Sequence, residues 1–267
     1  MGLADVHAHL THPRLVADEA GVLGRARASG VTSIVVNGLN AADNEVVRQL
    51  ALREPLVRPA FGLYPVDAVL AEMRALGVEY PRDGEEPSVE ESLAWLQAHV
   101  EEAFAIGEIG LDGYWVPESL WARQEEIFRE LVKLAMAADK PMIIHTRKRE
   151  QRTFEILIEM GAQRVCWHCF GGKMKLAQRI AAHGHWLSIP ANAPRSESFT
   201  RLLGTLPPER LLLETDCPYL SPDRERMSEP ADVAATAAYA AGLWGIPLIE
   251  AEERFALNFS ALFGIAP

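Results

Sequence analysis

The sequence predicts an α/β protein that folds as a single (β/α)8 barrel over residues 1–267. Eight short apolar or β-branched runs recur along the chain, and segments with helical patterning separate them. A chain of 267 residues, of which 49% are hydrophobic, has the usual size of one such barrel and can bury a large core. The sequence contains no tandem repeat, low-complexity tract or linker that would divide the chain. We therefore expect one domain.

Each predicted strand is a short run rich in Val, Ile, Leu or aromatic residues. The stretches between consecutive runs are long enough for helical crossovers, which favours a parallel sheet. The predicted strands are Leu3–His7, Val31–Asn37, Val57–Gly62, Ala103–Glu108, Met142–His145, Arg164–His168, Trp186–Ile189 and Leu211–Glu214.

Apolar residues at helical spacing predict helices between these strands and two closing helices at the end of the chain. One irregular insertion, Val66–Pro87, contains several proline and glycine residues, and we expect a loop or lid that bears a short helix. The predicted helices include Asp43–Arg53, Ser88–Val100, Pro117–Ala138, Arg149–Met160, Lys173–His183, Glu229–Leu243 and Ile249–Phe263.

The formal net charge is 26 − 37 = −11, which excludes a broad basic face that tracks duplex DNA. Any contact with nucleic acid should be local, as with a strand end. Because the sequence has neither a long apolar run nor a basic, apolar leader, we expect no membrane span and a cytoplasmic location. Three cysteines, Cys166, Cys169 and Cys217, agree with a reducing compartment and with packing roles. A monomer is compatible with these features.

Four histidines and two carboxylates lie at or next to the ends of predicted strands. Parallel strands of a closed barrel place their carboxyl ends at one mouth, so these side chains should converge. Nitrogen and oxygen ligands in this number exceed the needs of one structural zinc and suit a pair of divalent ions that hold a reactive water. The sequence thus predicts a metal-dependent hydrolase. The candidate ligands are His7, His9, Glu108, His145, His168 and Asp216.

Each candidate also has a simpler interpretation. The period of two along a strand directs His7 and His9 to the same side, but such a pair also arises by chance. A carboxylate such as Glu108 can bridge two cations, or it can begin a surface loop. Asp216 can bind an ion and accept the proton of the attacking water, or it can cap a helix. A lone histidine such as His145 or His168 is more often a hydrogen-bonded core residue.

Two further motifs are expected not to bind metal. His183 and His185 form a second pair, but they flank the point where a helix ends and a strand begins, which is the opposite mouth of the barrel. We expect surface or structural roles for them. In Cys166–Cys169, strand alternation should direct Cys166 inward and Cys169 outward, so the two thiols diverge.

Several motifs together resemble the TatD family of metal-dependent hydrolases, in the family's order and over nearly the whole chain. The resemblance implies a TIM barrel of the amidohydrolase type, two divalent cations and hydrolysis of phosphodiester bonds in DNA, often from a 3′ end. The motifs are Asp5-Val6-His7-Ala8-His9, Gly107-Glu108-Ile109-Gly110-Leu111-Asp112, His145-Thr146-Arg147, His168-Cys169-Phe170-Gly171-Gly172, Glu214-Thr215-Asp216-Cys217-Pro218-Tyr219-Leu220 and Asn258-Phe259-Ser260-Ala261-Leu262-Phe263.

The resemblance also implies roles for individual residues. Asp5 would support the ligands from behind, and Arg147 is a candidate phosphate contact, although an ion pair at the rim is the alternative. Four imidazoles suit Zn²⁺, Mn²⁺ or Co²⁺ better than Mg²⁺. The implied ligand sets are His7, His9 and Asp216 for one ion and His145 and His168 for the other, with Glu108 as the bridge.

Three departures from the family pattern concern the substrate more than the metals. Tyr64 replaces the histidine of Gly-x-His-Pro, and a tyrosine can donate a hydrogen bond but does not titrate near neutrality. Lys148 stands where an acidic residue is usual, and Ser228 replaces the asparagine of Asn-Glu-Pro. The alternatives to a deoxyribonuclease are a small-molecule amidohydrolase or lactonase with the same metal site, and a binding protein that has lost catalysis.

Overall fold

The computed structural model describes residues 2–81 and 88–267. Its eight strands form one parallel sheet in which each strand pairs with its neighbours in chain order. The predicted fold class, a (β/α)8 barrel, is confirmed. The strands are β1 (Leu3–Ala8), β2 (Val31–Asn37), β3 (Val57–Phe61), β4 (Ala105–Asp112), β5 (Met142–Arg147), β6 (Val165–Trp167), β7 (Trp186–Pro190) and β8 (Leu211–Glu214).

The chain that follows β8 meets β1 and so brings the two ends of the sheet together. The backbone N–H of Asp216 donates to the His7 carbonyl at 2.8 Å, and that of His9 donates to the Cys217 carbonyl at 3.0 Å. Ala8 and Cys217 form a parallel bridge. The turn that carries Asp216 is therefore fixed directly to the strand that carries His7.

Helices surround the barrel and connect its strands. Ser88 caps the helix that follows it, since its side chain accepts from the backbone N–H of Glu91 at 3.2 Å. The helices are α1 (Pro13–Val16), α2 (Glu19–Ala28), α3 (Ala41–Arg53), α4 (Leu70–Ala75), α5 (Val89–His99), α6 (Trp121–Ala137), α7 (Glu150–Met160), α8 (Met174–His183), α9 (Glu197–Thr205), α10 (Val233–Trp244) and α11 (Leu248–Phe263).

The seven predicted helices are present with boundary shifts of a few residues, whereas α1, α2 and α9 were not among them. The weak pattern of α2 has a physical reason, because small residues fill it and its buried side chains are Val22, Leu23 and Ala26. Helix α9 has a clear apolar face of Phe199, Leu202 and Leu203, so its sequence did carry the signal.

The predicted end of β4 at Glu108 is wrong. The strand continues to Asp112, so Glu108 lies in the middle of β4 rather than at its end. The pairing of β4 with β5 changes register between Ile106 and Ile109. Such an irregularity re-aims a side chain, which explains how a residue in mid-strand reaches the mouth of the barrel.

The core has an inner layer inside the barrel and an outer layer between strands and helices. The inner layer joins residues near the amino ends of the strands, among them Ala4, Ala105 and Leu212, to Phe259 and Phe263 of α11. Helix α11 thus closes the amino end of the barrel with aromatic rings. The other mouth is left for the polar residues at the carboxyl ends of the strands.

The insertion Val66–Pro87 contains the predicted short helix. A single 3-10 turn at Asp67–Val69 leads into α4. The last part of this predicted lid, residues 82–87, lies outside the described residues.

No single helix in the described parts of the chain is long and apolar enough to cross a membrane. The pair Pro230–Trp244 and Leu248–Phe263, bent by 112°, meets the length and composition criteria only when its two members are taken together.

The aromatic closure of the barrel predicts a large effect of one substitution. Phe259 is fully buried, and its ring lies 4.6 Å from that of Phe263 and 6.1 Å from that of Phe104. Phe259→Ala should lower the free energy of unfolding by about 3–5 kcal/mol, because a cavity remains where the ring was. Urea denaturation measures this change. Leu257→Ala on the same helix, where the side chain is 60% exposed, should change it by less than about 0.5 kcal/mol. Equal effects of the two substitutions would contradict the closure.

Candidate metal centre

Two imidazoles from β1 and the residue after it face two carboxylates at the mouth of the barrel. The Nε2 atoms of His7 and His9 are 3.1 Å apart. Glu108 Oε2 lies 3.5 Å from His7 Nε2 and 3.6 Å from His9 Nε2. Asp216 Oδ1 lies 3.8 Å and 3.5 Å from the same two nitrogens. The ligand atoms of a tetrahedral ion with bonds of about 2.1 Å are about 3.4 Å apart, so these spacings fit a shared cation.

The second oxygen of Glu108 faces a different pair of imidazoles. Glu108 Oε1 lies 2.7 Å from His145 Nδ1 and 4.0 Å from His168 Nε2. His168 Nε2 is also 4.0 Å from Asp216 Oδ1, and its ring stacks on that of His7 with centroids 3.5 Å apart. The structure therefore brings together all six side chains that the sequence singled out. Glu108 lies between the two groups of imidazoles.

Burial and charge act against each other in this cluster. Burial opposes the ionisation of Glu108, but hydrogen bonds with His145 and His7 hold its pKa well below the usual range. Burial likewise opposes ionisation of Asp216, but the charges of His168, His7 and His9 and a hydrogen bond with His9 together outweigh it, so the pKa of Asp216 is lowered. Burial also disfavours a charged His9, yet the two carboxylates raise its pKa to about 9. The negative field of these carboxylates favours a cation among the ring nitrogens, which suits metal ions.

Two of the ring nitrogens that point away from the cluster have their own partners, whereas His7 Nδ1 is buried without a hydrogen-bond partner among the described residues. His9 Nδ1 lies 3.1 Å from the Asn37 carbonyl, and His168 Nδ1 lies 2.8 Å from Glu214 Oε2. In metal sites, a ligating histidine commonly donates its other ring N–H to a carbonyl or a carboxylate in this way. Both contacts leave Nε2 free to face the cluster. The donor set and its support thus fit divalent ions.

Glu214 is a supporting residue that the sequence analysis missed. Its carboxylate also accepts from the Ser188 hydroxyl at 2.6 Å and from the backbone N–H of Cys169 at 2.9 Å. The sequence signal that could have identified it is an acidic residue at the end of the apolar run Leu211–Leu213, where burial requires a partner; the structure shows that Glu214 is completely buried.

Asp112 is the second missed residue. Its Oδ2 lies 3.1 Å from His145 Nε2, and its Oδ1 accepts from the backbone N–H groups of Tyr114 and Trp115, each at 2.8 Å. Asp112 therefore orients His145 and fixes the turn after β4 at the same time. It belongs to a motif quoted above, but the motif alone did not reveal this role.

Asp5 supports the opposite side of the cluster. It accepts from the backbone N–H groups of His7 at 3.2 Å and Thr215 at 3.0 Å, and also from the Thr215 hydroxyl. Burial raises the pKa of Asp5 to about 8. The contacts join β1 to the turn that carries Asp216.

Comparison with known proteins identifies the family. The profile described as TatD related DNase matches residues 4–264. The chain belongs to the TatD family.

It is 30% identical to the putative deoxyribonuclease TATDN3 of Mus musculus, over 98% of this chain and 88% of that protein. It is 28% identical to the 3'-5' ssDNA/RNA exonuclease TatD of Escherichia fergusonii, over 85% of each chain. The crystal structure of the TatD homologue YJJV from Escherichia coli has a TM-score of 0.84 at 27% identity, with 98% of both chains covered. The protein is therefore a metal-dependent hydrolase.

A cavity of about 910 Å³ opens above the cluster in this TatD-family chain, and the two candidate substrate contacts line it. The Tyr64 ring stands edge-on to that of His145 with centroids 5.0 Å apart. The guanidinium of Arg147 lies over the Tyr114 ring, 3.6 Å from its centroid. Arg147 makes no ion pair with any carboxylate in residues 2–81 or 88–267, so the alternative of an ion pair at the rim is not observed there.

The second histidine pair lies away from the cluster. Trp167 Nε1 donates to His185 Nδ1 at 3.1 Å, and His185 Nε2 donates to the Ala162 carbonyl at 2.9 Å. His185 is thus a neutral, structural residue. Cys166 lies in the inner layer of the core, whereas Cys169 packs against the outer layer, so their thiols diverge as expected.

The buried position of His185 predicts a pH dependence of stability. Burial lowers its pKa from 6.5 to about 4. Because the unfolded chain binds this proton more readily, the contribution to stability is complete above pH 6.5 and is lost as the pH falls to about 4. His185→Gln offers a donor and an acceptor to the same partners without titrating. Between pH 6.5 and pH 4 the wild type should lose about 3 kcal/mol more than this variant, measured by urea denaturation. Parallel pH profiles would show that His185 is not neutral and buried.

Proposed function

We propose that this TatD-family hydrolase is a deoxyribonuclease that uses two divalent cations and removes nucleotides from the 3′ ends of DNA. The observation that carries the proposal is the position of Glu108. Its two oxygens face different groups of imidazoles, with His7 and His9 on one side and His145 and His168 on the other. A carboxylate in this position can bridge two ions.

The ligand sets follow from these contacts. His7, His9 and Asp216 would hold one ion through Nε2, Nε2 and Oδ1. His168 would bind the other through Nε2, since Glu214 occupies its Nδ1. His145 would bind through Nδ1, which faces Glu108, while its Nε2–H donates to Asp112. The set contains four imidazoles, which favours Zn²⁺, Mn²⁺ or Co²⁺ over Mg²⁺.

When bound, a pair of divalent ions supplies an acidic water and stabilises the charge on the oxygens of the scissile phosphate. The residues of this chain do the rest. Asp216 is ionised, and its side chain is 16% exposed toward the cavity, so it can accept the proton of the attacking water. Arg147 can place its N–H groups on phosphate oxygens. Tyr64 can donate a hydrogen bond from its hydroxyl, which stays protonated because burial raises its pKa well above 10.

The shape of the site supports attack on a strand end. The inner core layer lies below the metal cluster, and α11 closes the barrel beneath it. A strand can therefore enter the mouth but cannot pass through, which favours removal of terminal nucleotides. The 3′ polarity is supported by the name of the relative from Escherichia fergusonii. The net charge of −11 agrees with a local contact at a terminus rather than an extended duplex interface.

A substrate panel tests the proposed reaction. The Mn²⁺-loaded protein should remove mononucleotides from the 3′ end of 5′-labelled DNA, so that a ladder of shortened labelled strands is seen on denaturing gels. EDTA should abolish the activity. A 3′-labelled strand and panels of amide, ester and lactone substrates serve as controls. Hydrolysis of the carbonyl substrates without release of nucleotides would reject a deoxyribonuclease in favour of an amidohydrolase or lactonase.

The bridging position of Glu108 predicts the effect of one substitution. Glu108→Gln keeps the size of the side chain but removes the charge that two cations share. Metal content by elemental analysis should fall below two ions per chain, and turnover should fall at least about 100-fold. Glu253→Gln, at an exposed carboxylate on α11, is the matched control and should retain both. Unchanged metal content with full nuclease turnover in Glu108→Gln would refute the bridge.

A further inference from the structure

Two aromatic pairs form opposite walls of the cavity above the metal cluster. His12, which follows β1, meets Tyr219, which follows β8, edge-to-face with centroids 5.7 Å apart. Tyr80 and Trp115, which follow β3 and β4, meet in the same manner at 5.2 Å. All four side chains line the cavity. Since β4 and β8 are four strands apart in an eight-stranded ring, the two pairs stand on opposite sides of the mouth.

Exposed aromatic rings are concentrated at this mouth. Tyr219 is 51% exposed and Tyr114 is 52% exposed, and every other Phe, Tyr and Trp in the described parts of the chain is buried or half-buried. Tyr114 lies beneath Arg147, which lines the cavity. Large apolar side chains that remain in water at one place mark a binding surface.

The orientation of these rings is fixed by the backbone of the site. The N–H of Tyr219 donates to the Asp216 carbonyl at 2.9 Å, and the N–H of Trp115 donates to Asp112 at 2.8 Å. In each pair, edge-to-face packing restricts the rotation of both rings. The walls are therefore positioned relative to the metal cluster before a ligand arrives.

Charge contributes little to the attraction of a strand at these walls. Arg147 is the only Lys or Arg among the described residues that line the cavity, whereas Asp43 and Glu91 also line it. The chain carries a net charge of −11. Beyond the phosphate contacts of Arg147 and of the metal ions, a nucleic acid that binds here must gain its affinity from uncharged groups. Stacking of a base on an aromatic ring changes affinity by about 5- to 150-fold per base.

We propose that the His12–Tyr219 and Tyr80–Trp115 pairs stack the unpaired bases of a single-stranded end above the metal cluster. The proposal rests on the proposed nuclease function and names the residues that would hold the bases of its substrate. Base faces are open in a single strand, whereas neighbouring pairs cover them in a duplex. The walls therefore select single-stranded or frayed ends over paired ends, with little preference for sequence, because every base has a face to stack.

Substitution of Tyr219 tests the proposal by binding. The Mn²⁺-loaded protein is titrated into a fluorescently labelled single strand whose terminal linkages are phosphorothioates, which slow hydrolysis, and anisotropy gives Kd. Tyr219→Ala keeps the backbone N–H and should raise Kd about 5- to 150-fold. Tyr219→Phe keeps the ring and should stay within about threefold of the wild type. Leu257→Ala, an exposed position on α11, should leave Kd unchanged.

A second substrate and a second variant distinguish stacking from other effects. When the last two nucleotides are abasic, the wild type should lose most of its affinity, and the difference between wild type and Tyr219→Ala should disappear. Trp115→Leu should reproduce the loss from the opposite wall, with thermal denaturation to verify folding. The wild type should also bind a blunt duplex more weakly than the single strand by a similar factor.

Three results would overturn the stacking walls: a wild-type Kd in Tyr219→Ala, an equal Kd for the abasic strand, or a Kd for the blunt duplex as low as for the single strand. Salt dependence gives an independent reading. Because few phosphates are contacted, the plot of log affinity against log salt concentration should be shallow. The magnitude of its slope should be about 0.7 for each contacted phosphate. The turnover of DNA by the wild type tests the nuclease function separately, so the two can fail independently.

Discussion

The ionised, buried carboxylate of Glu108 is the constraint on which the mouth of the barrel depends. A carboxylate taken out of water costs several kcal/mol of free energy unless opposite charge and hydrogen bonds offset the loss. Its side chain is only 4% exposed, yet its pKa lies well below the usual value because imidazoles face both of its oxygens. Asp216 adds a second negative charge to the same space. The imidazoles on or directly after β1, β5 and β6 are therefore required as much for the stability of the folded mouth as for ligation.

A second layer of buried acids couples the cluster to the loops above it. Asp112 contacts His145 with one oxygen and holds the backbone of Tyr114 and Trp115 with the other. Asp5 holds His7 and the Thr215 turn that leads to Asp216. The same supports thus orient the ligands and the walls of the cavity. A change in either acid would disturb the chemistry and the binding of the strand together.

The sequence predicted the barrel and the convergence of the six side chains, because both depend on local patterns. Apolar runs mark strands, and parallel strands of a barrel have their carboxyl ends at one mouth. The predicted position of Glu108 at the end of β4 was wrong. The register change that directs its side chain to the mouth depends on the pairing of β4 with β5 rather than on local sequence. The roles of Asp112 and Glu214 were missed for a similar reason. The sequence shows that an acidic residue lies in an apolar strand, but it does not show the hydrogen-bond partner, which comes from a strand that is distant in sequence.

The metal cluster determines the type of reaction, whereas the aromatic walls of the cavity above it act on the choice of substrate. A hydrolytic metal centre can serve phosphodiesters, esters or amides, so the metal cluster alone does not choose among them. The choice must come from groups that contact the substrate away from the reacting atoms. In this chain the cavity is lined by a guanidinium, the Tyr64 side chain and aromatic rings, with acidic residues beside them. A small carbonyl substrate would leave most of a 910 Å³ cavity unfilled, whereas the end of a nucleic-acid strand offers both a phosphate for Arg147 and planar bases for the rings. The walls therefore favour the nucleotide substrate on physical grounds that are separate from family membership.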